Sequence, residues 1–353
     1  MEPVDQNLTC DEFMDQSITP LDELKATGSS TRSIFEVFIL SVQKRFCVAL
    51  ETIEKKSNES IVDSEQNGYS GRCFVADRWQ RKEGGGGISC VLQDGKVFEK
   101  AGVNVSVVTG QLSKEAVVQM KKQHKDIDLE EGRELPFFAA GISSVIHPRN
   151  PHVPTIHFNY RYFEIQGQKG STEWWFGGGT DLTPYVYDEN SFKHFHSTLA
   201  DACDRHDKSY YPKFKAECDD YFYIKHRGER RGVGGIFFDD LNKPSLADCF
   251  GFIKSCAQAV IPCYLPLVEA NYLKSYSPDQ RRWQLLRRGR YVEFNLVYDR
   301  GTKFGFATPG ARIESILISL PLHASWEYMH SPVEGSDQDK LMKILKQPKD
   351  WVC

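Results

Sequence analysis

The chain is predicted to be α+β: a single domain built on a large, mainly antiparallel β-sheet, with α-helices flanking it on both sides. Three features lead there. Several runs alternate apolar and polar residues with the period of two that a strand imposes. Those runs are joined mostly by short turns, while the helical patterns sit in separate blocks instead of between successive strands. No linker-like stretch interrupts residues 70–353, and no internal repeat is present, so one domain is expected.

The elements follow in order. Residues 1–30 are acidic and lack both a basic and an apolar leader pattern, so they read as a mobile N-terminal arm ahead of a domain over 31–353. Residues 31–57 carry apolar side chains at helical spacing, and SNESIVDSEQNGYS follows as a polar linker. Gly84–Gly87 reads as a flexible loop. A hairpin is expected over 88–110, turning at Asp94-Gly95. Ser113 opens a short helix to about His124. Two strand-like runs lie within 141–185, two polar helices within 189–228, and GVGGIFFDDL is a buried strand ending in an acidic pair. Residues 245–290 are helical, with Pro244 and Pro278 near the starts. YVEFNLVYDRGTKFGFATPGAR is expected to be a strand, a turn at Asp299-Arg300-Gly301, and a second strand. ILISLPLHASWEYM reads as another strand and DQDKLMKILKQP as a closing helix.

Bulk composition is that of a globular protein, with 40% hydrophobic and 26% charged residues. The net charge of −4 gives no basic signature of nucleic-acid binding, and no apolar run approaches the length of a membrane span, so neither partner is expected. Ten cysteines show no C-x-x-C pair. Cys249, Cys256 and Cys263 recur at seven-residue spacing on one helix face, which Pro262 is expected to end early. Buried thiols in a reducing compartment are the natural reading, and a cytoplasmic location is expected.

The densest chemistry lies between Gly141 and Tyr185. In Thr155-Ile156-His157-Phe158-Asn159-Tyr160-Arg161-Tyr162 the alternation puts His157, Asn159 and Arg161 on one face, and Ile156, Phe158, Tyr160 and Tyr162 on a core face. A histidine on a strand is more often structural; here its same-face neighbours are an amide and a guanidinium, which makes a polar shelf suited to a small anion. Imidazole also exchanges protons near neutrality. In Trp174-Trp175-Phe176-Gly177-Gly178-Gly179-Thr180-Asp181 the glycines admit close approach to the backbone, and no Gly-Lys-Ser/Thr makes this a phosphate loop. Asp181 either caps a turn or faces a planar ring whose N–H groups it accepts from. Arg312, after Thr308-Pro309-Gly310-Ala311, stands where a carboxylate could be held. The clusters Arg227/Arg230/Arg231 and Arg287/Arg288/Arg290 read as solvated faces or carboxylate partners. A histidine metal site from His147, His157, His196 and His226 is the alternative, but the spacing fits no H-E-x-x-H or Cys/His zinc pattern, and no metal is expected.

Five long motifs carry a resemblance: GKVFEKAGVNVS, GISSVIHPRNPHVPTIHFNYRYF, WWFGGGTDLTPY, CDDYFYIKHRGERRGVGGIFFDDL and RRGRYVEFNLVYDRGTKFGF. With them, from about Gly71 to Trp351, the sequence resembles the oxygen-dependent coproporphyrinogen III oxidases of haem biosynthesis. The resemblance implies an oxidase with molecular oxygen as co-substrate and no cofactor. It would convert two propionates of coproporphyrinogen III to vinyl groups, giving protoporphyrinogen IX, carbon dioxide and hydrogen peroxide. It also implies a homodimer. By motif position, His157 matches the family's proposed proton-transfer residue and Asp181 the carboxylate proposed to hold pyrrole N–H groups. Ser143, Asn159, Tyr160, Arg161, Gly310, Ala311 and Arg312 match substrate-binding positions, and His226 matches one associated with dimerisation.

Overall fold

The structure, a computed structural model, describes residues 1–59, 73–123, 133–167, 171–307 and 311–352. A seven-stranded antiparallel sheet runs through it in the order β1 (Val75–Gln80), β2 (Gly85–Gln93), β3 (Phe98–Leu112), β4 (Leu135–Pro148), β5 (Thr155–Gln166), β6 (Thr172–Thr183) and β9 (Gly235–Leu241). A two-residue hairpin, β7 (Tyr223–Ile224) with β8 (Glu229–Arg230), stands apart. The α+β architecture is therefore as expected. The 141–185 region contributes three strands, because GISSVIHP forms the end of β4, separate from β5.

One face of the sheet is the core. The row Ile88, Val105, Ile142, Tyr160, Gly178 and Phe238 crosses six strands in register, and its apolar side chains are sealed. Two helices cover it, α2 (Thr31–Glu59) and α6 (Leu246–Asn271), with α4 (Glu189–Asp204) against α6 and reaching β9. Phe35, Ile39, Val42, Phe46, Leu50 and Ile53 recur every three or four residues along α2, so a single stripe faces the strands. Among the described residues α6 is the one helix long and apolar enough to cross a bilayer, but over half of that stretch is buried in the protein, as in a core helix. Pro262 does not end it; Pro262 and Pro266 both lie inside. Pro266 has no N–H to offer the Pro262 carbonyl, and His194 Nε2–H donates to it instead, at 2.9 Å. Cys249, Cys256 and Cys263 are buried on this helix.

Four expectations are corrected. Residues 1–30 are no mobile arm: Val4, Leu8, Phe13 and Leu24 are buried, the first three in the main core, around α1 (Leu21–Ala26). Apolar side chains spaced too widely to form a periodic run still found a surface to bury against. Gly84–Gly87 is no loose loop, since Gly85 to Gly87 start β2, and a Cβ at Gly87 would strike the Trp79 ring. The stretch from Tyr291 to Val297 is helical: it ends α7 (Pro278–Val297), which Ser277 and Gln280 cap reciprocally with Pro278 at the first turn. Its inward residues Gln284, Arg287, Arg288, Tyr291, Phe294 and Asn295 keep one helical face. Short helices α8 (Arg300–Ala307) and α9 (Ile313–Leu317) replace the second strand, and no strand follows between 318 and 336. Pro321 lacks a ladder donor, and Leu322, Trp326, Tyr328 and Met329 lie exposed. The linker expected after residue 57 lies mostly outside the described residues.

The remaining helices are α3 (Lys114–Gln123), α5 (Tyr210–Tyr221), which packs on β9, and α10 (Asp337–Lys346). The second sheet face is only partly covered: by α7 at one end, α9 over β2 and β3, and α3 at the other end, where Val117 packs on Leu135, Ile165 and Trp175. Of the arginines of α7, Arg287, Arg288 and Arg290 turn inward to carboxylates while Arg282 stays exposed. Arg288 is fully buried against Glu99 of β3, which also holds Arg281; Arg287 pairs with Glu229 at 2.6 Å. Burial raises the Glu99 carboxyl pKa, but Arg288 and Arg281 outweigh it and hold it below its ordinary value. Glu99→Ala would leave the Arg288 guanidinium buried without its carboxylate. It is expected to cost about 3–5 kcal/mol, measured by urea unfolding; a loss under about 1 kcal/mol, the worth of an exposed pair, would show that the pair does not hold α7 to the sheet.

Candidate active site

Strand register assembles a polar face opposite the core. One row reads Asp77, Ser89, Asn104, Ser143, Asn159, Gly179 and Phe237 across all seven strands. A row on one side carries Gly102, Val145, His157 and Asp181; the row on the other carries Trp79, Gly87, Ser106, Gly141, Arg161 and Gly177. Asn104, Ser106, Ser143, His157, Asn159 and Arg161 are all half-buried, so this half of the sheet is reachable from solvent. From Asp77 to Asn159 is four strand steps, roughly 19 Å.

At the β5–β6 end, His157 Nδ1–H donates to Asp181 Oδ1 at 2.6 Å. Behind it, Arg231 Nη2 grips both carboxylate oxygens, at 3.0 and 2.8 Å. Asp181 is only 2% exposed. Burial pushes its carboxyl up, yet Arg231 and then His157 overcome that and hold it below its usual value. The Arg231 guanidinium is itself buried, 4.1, 4.4 and 4.9 Å from the ring centres of Phe222, Tyr291 and Phe294. Its Nη1 donates to Asn295 Oδ1 at 2.9 Å. An imidazole fixed at Nδ1 by a carboxylate has its second nitrogen free to accept or deliver a proton. The His157 side chain keeps 21% of its surface exposed on the polar face.

This geometry gives the Asp181 carboxylate partners within the protein, His157 and Arg231, where ring N–H groups were expected. A carboxylate meant to hold ring N–H groups would keep an oxygen toward the face. Here Oδ1 accepts from His157 and Arg231, Oδ2 from Arg231, and the carboxylate is buried, so Asp181 is placed to orient His157. The rest of the shelf is as drawn from the alternation: Arg161 Nη1 donates to Asn159 Oδ1 at 3.0 Å, and Ser143 faces Asn159 across β4–β5. Tyr160 is on the core face, fully buried, with its hydroxyl 2.6 Å from Thr180 Oγ1. Its side chain does not reach the polar face. Arg312 pairs with Asp77 at the far edge of the face, with Ala311 beside it. Gly310 lies outside the described residues.

His226 lies away from the face. Its Nε2–H donates to Glu293 at 2.7 Å, and its ring stacks on Tyr298. Glu293 also receives Arg227, Arg290 and Trp326; burial raises its carboxyl, but these donors bring it down to about 2. His147 is buried, donating from Nε2 to the Ser319 carbonyl at 2.9 Å, and His196 is buried against Tyr211 and the Val233 carbonyl. Burial lowers both, His196 to about 3. Among the described residues no group of three His, Cys, Asp or Glu side chains could hold a metal ion.

Two members of the site escaped the sequence reading. Arg231 stands in a basic cluster read only as solvated faces or carboxylate partners, with no role in the site, and Asp239, from the acidic pair of β9, pairs with Arg161 at 2.8 Å. Both lie inside the long CDDYFYIKHRGERRGVGGIFFDDL motif, which was the one available signal.

A half-open polar sheet face with a positioned imidazole and a guanidinium is a surface suited to an anionic ligand. The chain belongs to the coproporphyrinogen III oxidase family, whose model matches residues 34–351. It is 60% identical to the oxygen-dependent coproporphyrinogen-III oxidase of Drosophila melanogaster over 96% of this chain and 83% of that protein. Identity is 55% to the mitochondrial Homo sapiens enzyme of that name, over 97% of this chain and 72% of the other. It is 52% to the chloroplastic coproporphyrinogen-III oxidase 1 of Arabidopsis thaliana, over 93% and 81%. These compartments lend no support to the cytoplasmic placement expected above.

Arg231→Leu is expected to strand Asp181 as a buried carboxylate and cost about 3–5 kcal/mol in urea unfolding. The folded pKa of Asp181 lies below its unfolded value, so the wild-type contribution is present above the ordinary carboxylate value, near ~3.9, and is lost as pH falls below it. The variant should show less of this acid loss; equal acid sensitivity would contradict the pairing.

Proposed function

We propose that this chain catalyses the oxygen-dependent oxidative decarboxylation of two propionate side chains of coproporphyrinogen III to vinyl groups, giving protoporphyrinogen IX. The observation that carries the reading is the strip His157–Asn159–Arg161 on a half-open face, in a chain that matches the family over 34–351. In each round a propionate loses its carboxyl group as carbon dioxide, and its β-hydrogen and carboxyl proton pass with two electrons to oxygen, forming hydrogen peroxide. Arg161 holds a substrate carboxylate, and each such charge-assisted hydrogen bond contributes roughly 1.5–3 kcal/mol. Asn159 and Ser143 line the floor, and Arg312 and Ala311 serve the far rim. His157, fixed by Asp181 and Arg231, manages the proton on the carboxylate or the nascent peroxide. The electron-rich tetrapyrrole supplies the reducing power itself, so no flavin or metal is assigned. Activity surviving chelation supports this; stoichiometric metal lost together with activity would refute it.

A homodimer is proposed through the C-terminal surface. Leu322, Trp326, Tyr328, Met329 and Val333 lie exposed there next to the His226–Glu293 cluster. Such an apolar patch is characteristic of an interface. Sedimentation should give a dimer for wild type and a shift toward monomer for Trp326→Glu; a monomeric wild type would contradict the assignment.

Oxygen uptake on adding coproporphyrinogen III tests the activity, and its absence would overturn it. His157→Ala is expected to lower kcat by about 10²–10⁴-fold. Asp181→Ala should fall within roughly tenfold of that, because residues that act as a unit lose function together. A nearly normal rate for Asp181→Ala would remove it from the pair.

A further inference from the structure

The substrate-facing guanidinium of Arg161 already holds a carboxylate. Its Nη2 lies 2.8 Å from Asp239 Oδ1, and Arg300 Nη2 lies 3.3 Å from Asp239 Oδ2. The backbone is shaped to allow this. Phe176 pairs with Leu241 and Gly178 with Phe238, so one residue of β6, Gly177, opposes two of β9, Asp239 and Asp240. Asp240 takes the extra turn at φ 58°. Such a bulge re-aims the neighbouring side chain, and Asp239 reaches across Gly177 onto the polar face. A Cβ on Gly177 would stand 2.6 Å from Asp239 Oδ1 and 2.7 Å from Arg161 Nη2 and would push the paired side-chain ends from this position. Arg300 lies over the Tyr221 and Phe237 rings, 5.0 and 5.6 Å from their centres, and Phe237 shares the row of Asn159.

We propose that Asp239 is a resident carboxylate that occupies the Arg161–Arg300 anion site until a substrate carboxylate displaces it. This rests on the function proposed above. The side chains of Arg161, Asp239 and Arg300 are 37%, 21% and 60% exposed, so an incoming anion reaches them directly. Two guanidinium groups and one carboxylate leave a net charge of +1, enough to attract an anion while keeping both arginines ordered when the site is empty. An arriving carboxylate makes the same charge-assisted bonds that Asp239 makes, so it competes for them on equal chemical terms. The reaction then removes that competitor. Decarboxylation turns the bound propionate into an uncharged vinyl group, Asp239 takes back the arginines, and the product loses its hold at this point. Asp239 thereby sets affinity and selectivity for carboxylates as a positioning residue, without touching the reacting atoms.

The test compares wild type, Asp239→Asn and Asp239→Ala, each with its melting temperature checked, by fluorescence titration with coproporphyrin III and with its uncharged tetramethyl ester. Removing the charge of a partly exposed partner should tighten coproporphyrin binding and lower KM in the oxygen-uptake assay by about two- to tenfold. The salt dependence of binding should steepen, because the site's charge rises to +2. The ester should gain nothing. Weaker or unchanged coproporphyrin binding in a folded Asp239→Asn protein with reduced kcat would overturn the proposal, leaving Asp239 as a brace for Arg161. An equal gain for the ester would overturn it too. Wild-type protein that neither binds coproporphyrin nor consumes oxygen with coproporphyrinogen would overturn the parent reading along with it.

Discussion

The structure depends on one buried contact: the Asp181 carboxylate gripped by Arg231 and capped by His157. A lone carboxylate in that position would be expensive to ionise. Arg231 supplies the opposite charge at 2.8 Å, and three aromatic rings surround the guanidinium in place of water. The trio joins parts far apart in sequence. Asp181 lies on β6, Arg231 just after the small hairpin, and Phe294 and Asn295 on α7. From Asn295 the bonding passes to Ser319, whose carbonyl accepts from His147 of β4. The helix that closes one end of the polar face and the imidazole that works on it are therefore held by the same hydrogen-bonded chain.

Around this anchor the sheet divides its labour. One face is a conventional apolar core under α2 and α6. The other carries small residues and amides at Ser89, Gly102, Asn104, Gly141, Ser143 and Gly177, which keep the surface low enough for a broad ligand to lie on it. Each glycine has its own local reason. A Cβ at Gly102 would meet Ile318, so that glycine lets the segment after α9 approach the sheet, whereas Gly177 makes way for two charged side chains. The charged groups act as pairs: Asp181 with Arg231, Glu99 with Arg288, Asp239 with Arg161. The first two are sealed and hold the frame. The third faces solvent and is exchangeable.

Much of this was legible in the sequence, and the failures share a physical cause. Strict alternation over 155–162 placed His157, Asn159 and Arg161 together, since strand geometry leaves a residue only two faces to choose from. Asp94-Gly95 located its turn, and Asp94 indeed adopts φ 57°. What escaped was whatever depends on a distant partner. Tyr291 to Val297 looks like a strand by composition, yet the capping box fourteen residues upstream of Tyr291 commits it to a helix. Arg231 and Arg288 read as solvated faces or carboxylate partners, and only the fold selects the partners, Asp181 and Glu99. Val4, Leu8 and Phe13 are too sparse to announce a docked segment. Asp181 stands out in the sequence as a carboxylate beyond three glycines, but its direction does not, because Arg231 sets it.

The central claim is that the substrate lies on the polar face while Asp181 stays engaged behind it. A crystal structure with coproporphyrin III bound tests this most directly. The macrocycle is expected over His157, Asn159 and Ser143, with one carboxylate on Arg161 and the Asp181–Arg231 pair intact. Ring nitrogens bonded to Asp181 with Arg231 turned away, or a macrocycle seated on another surface, would contradict it.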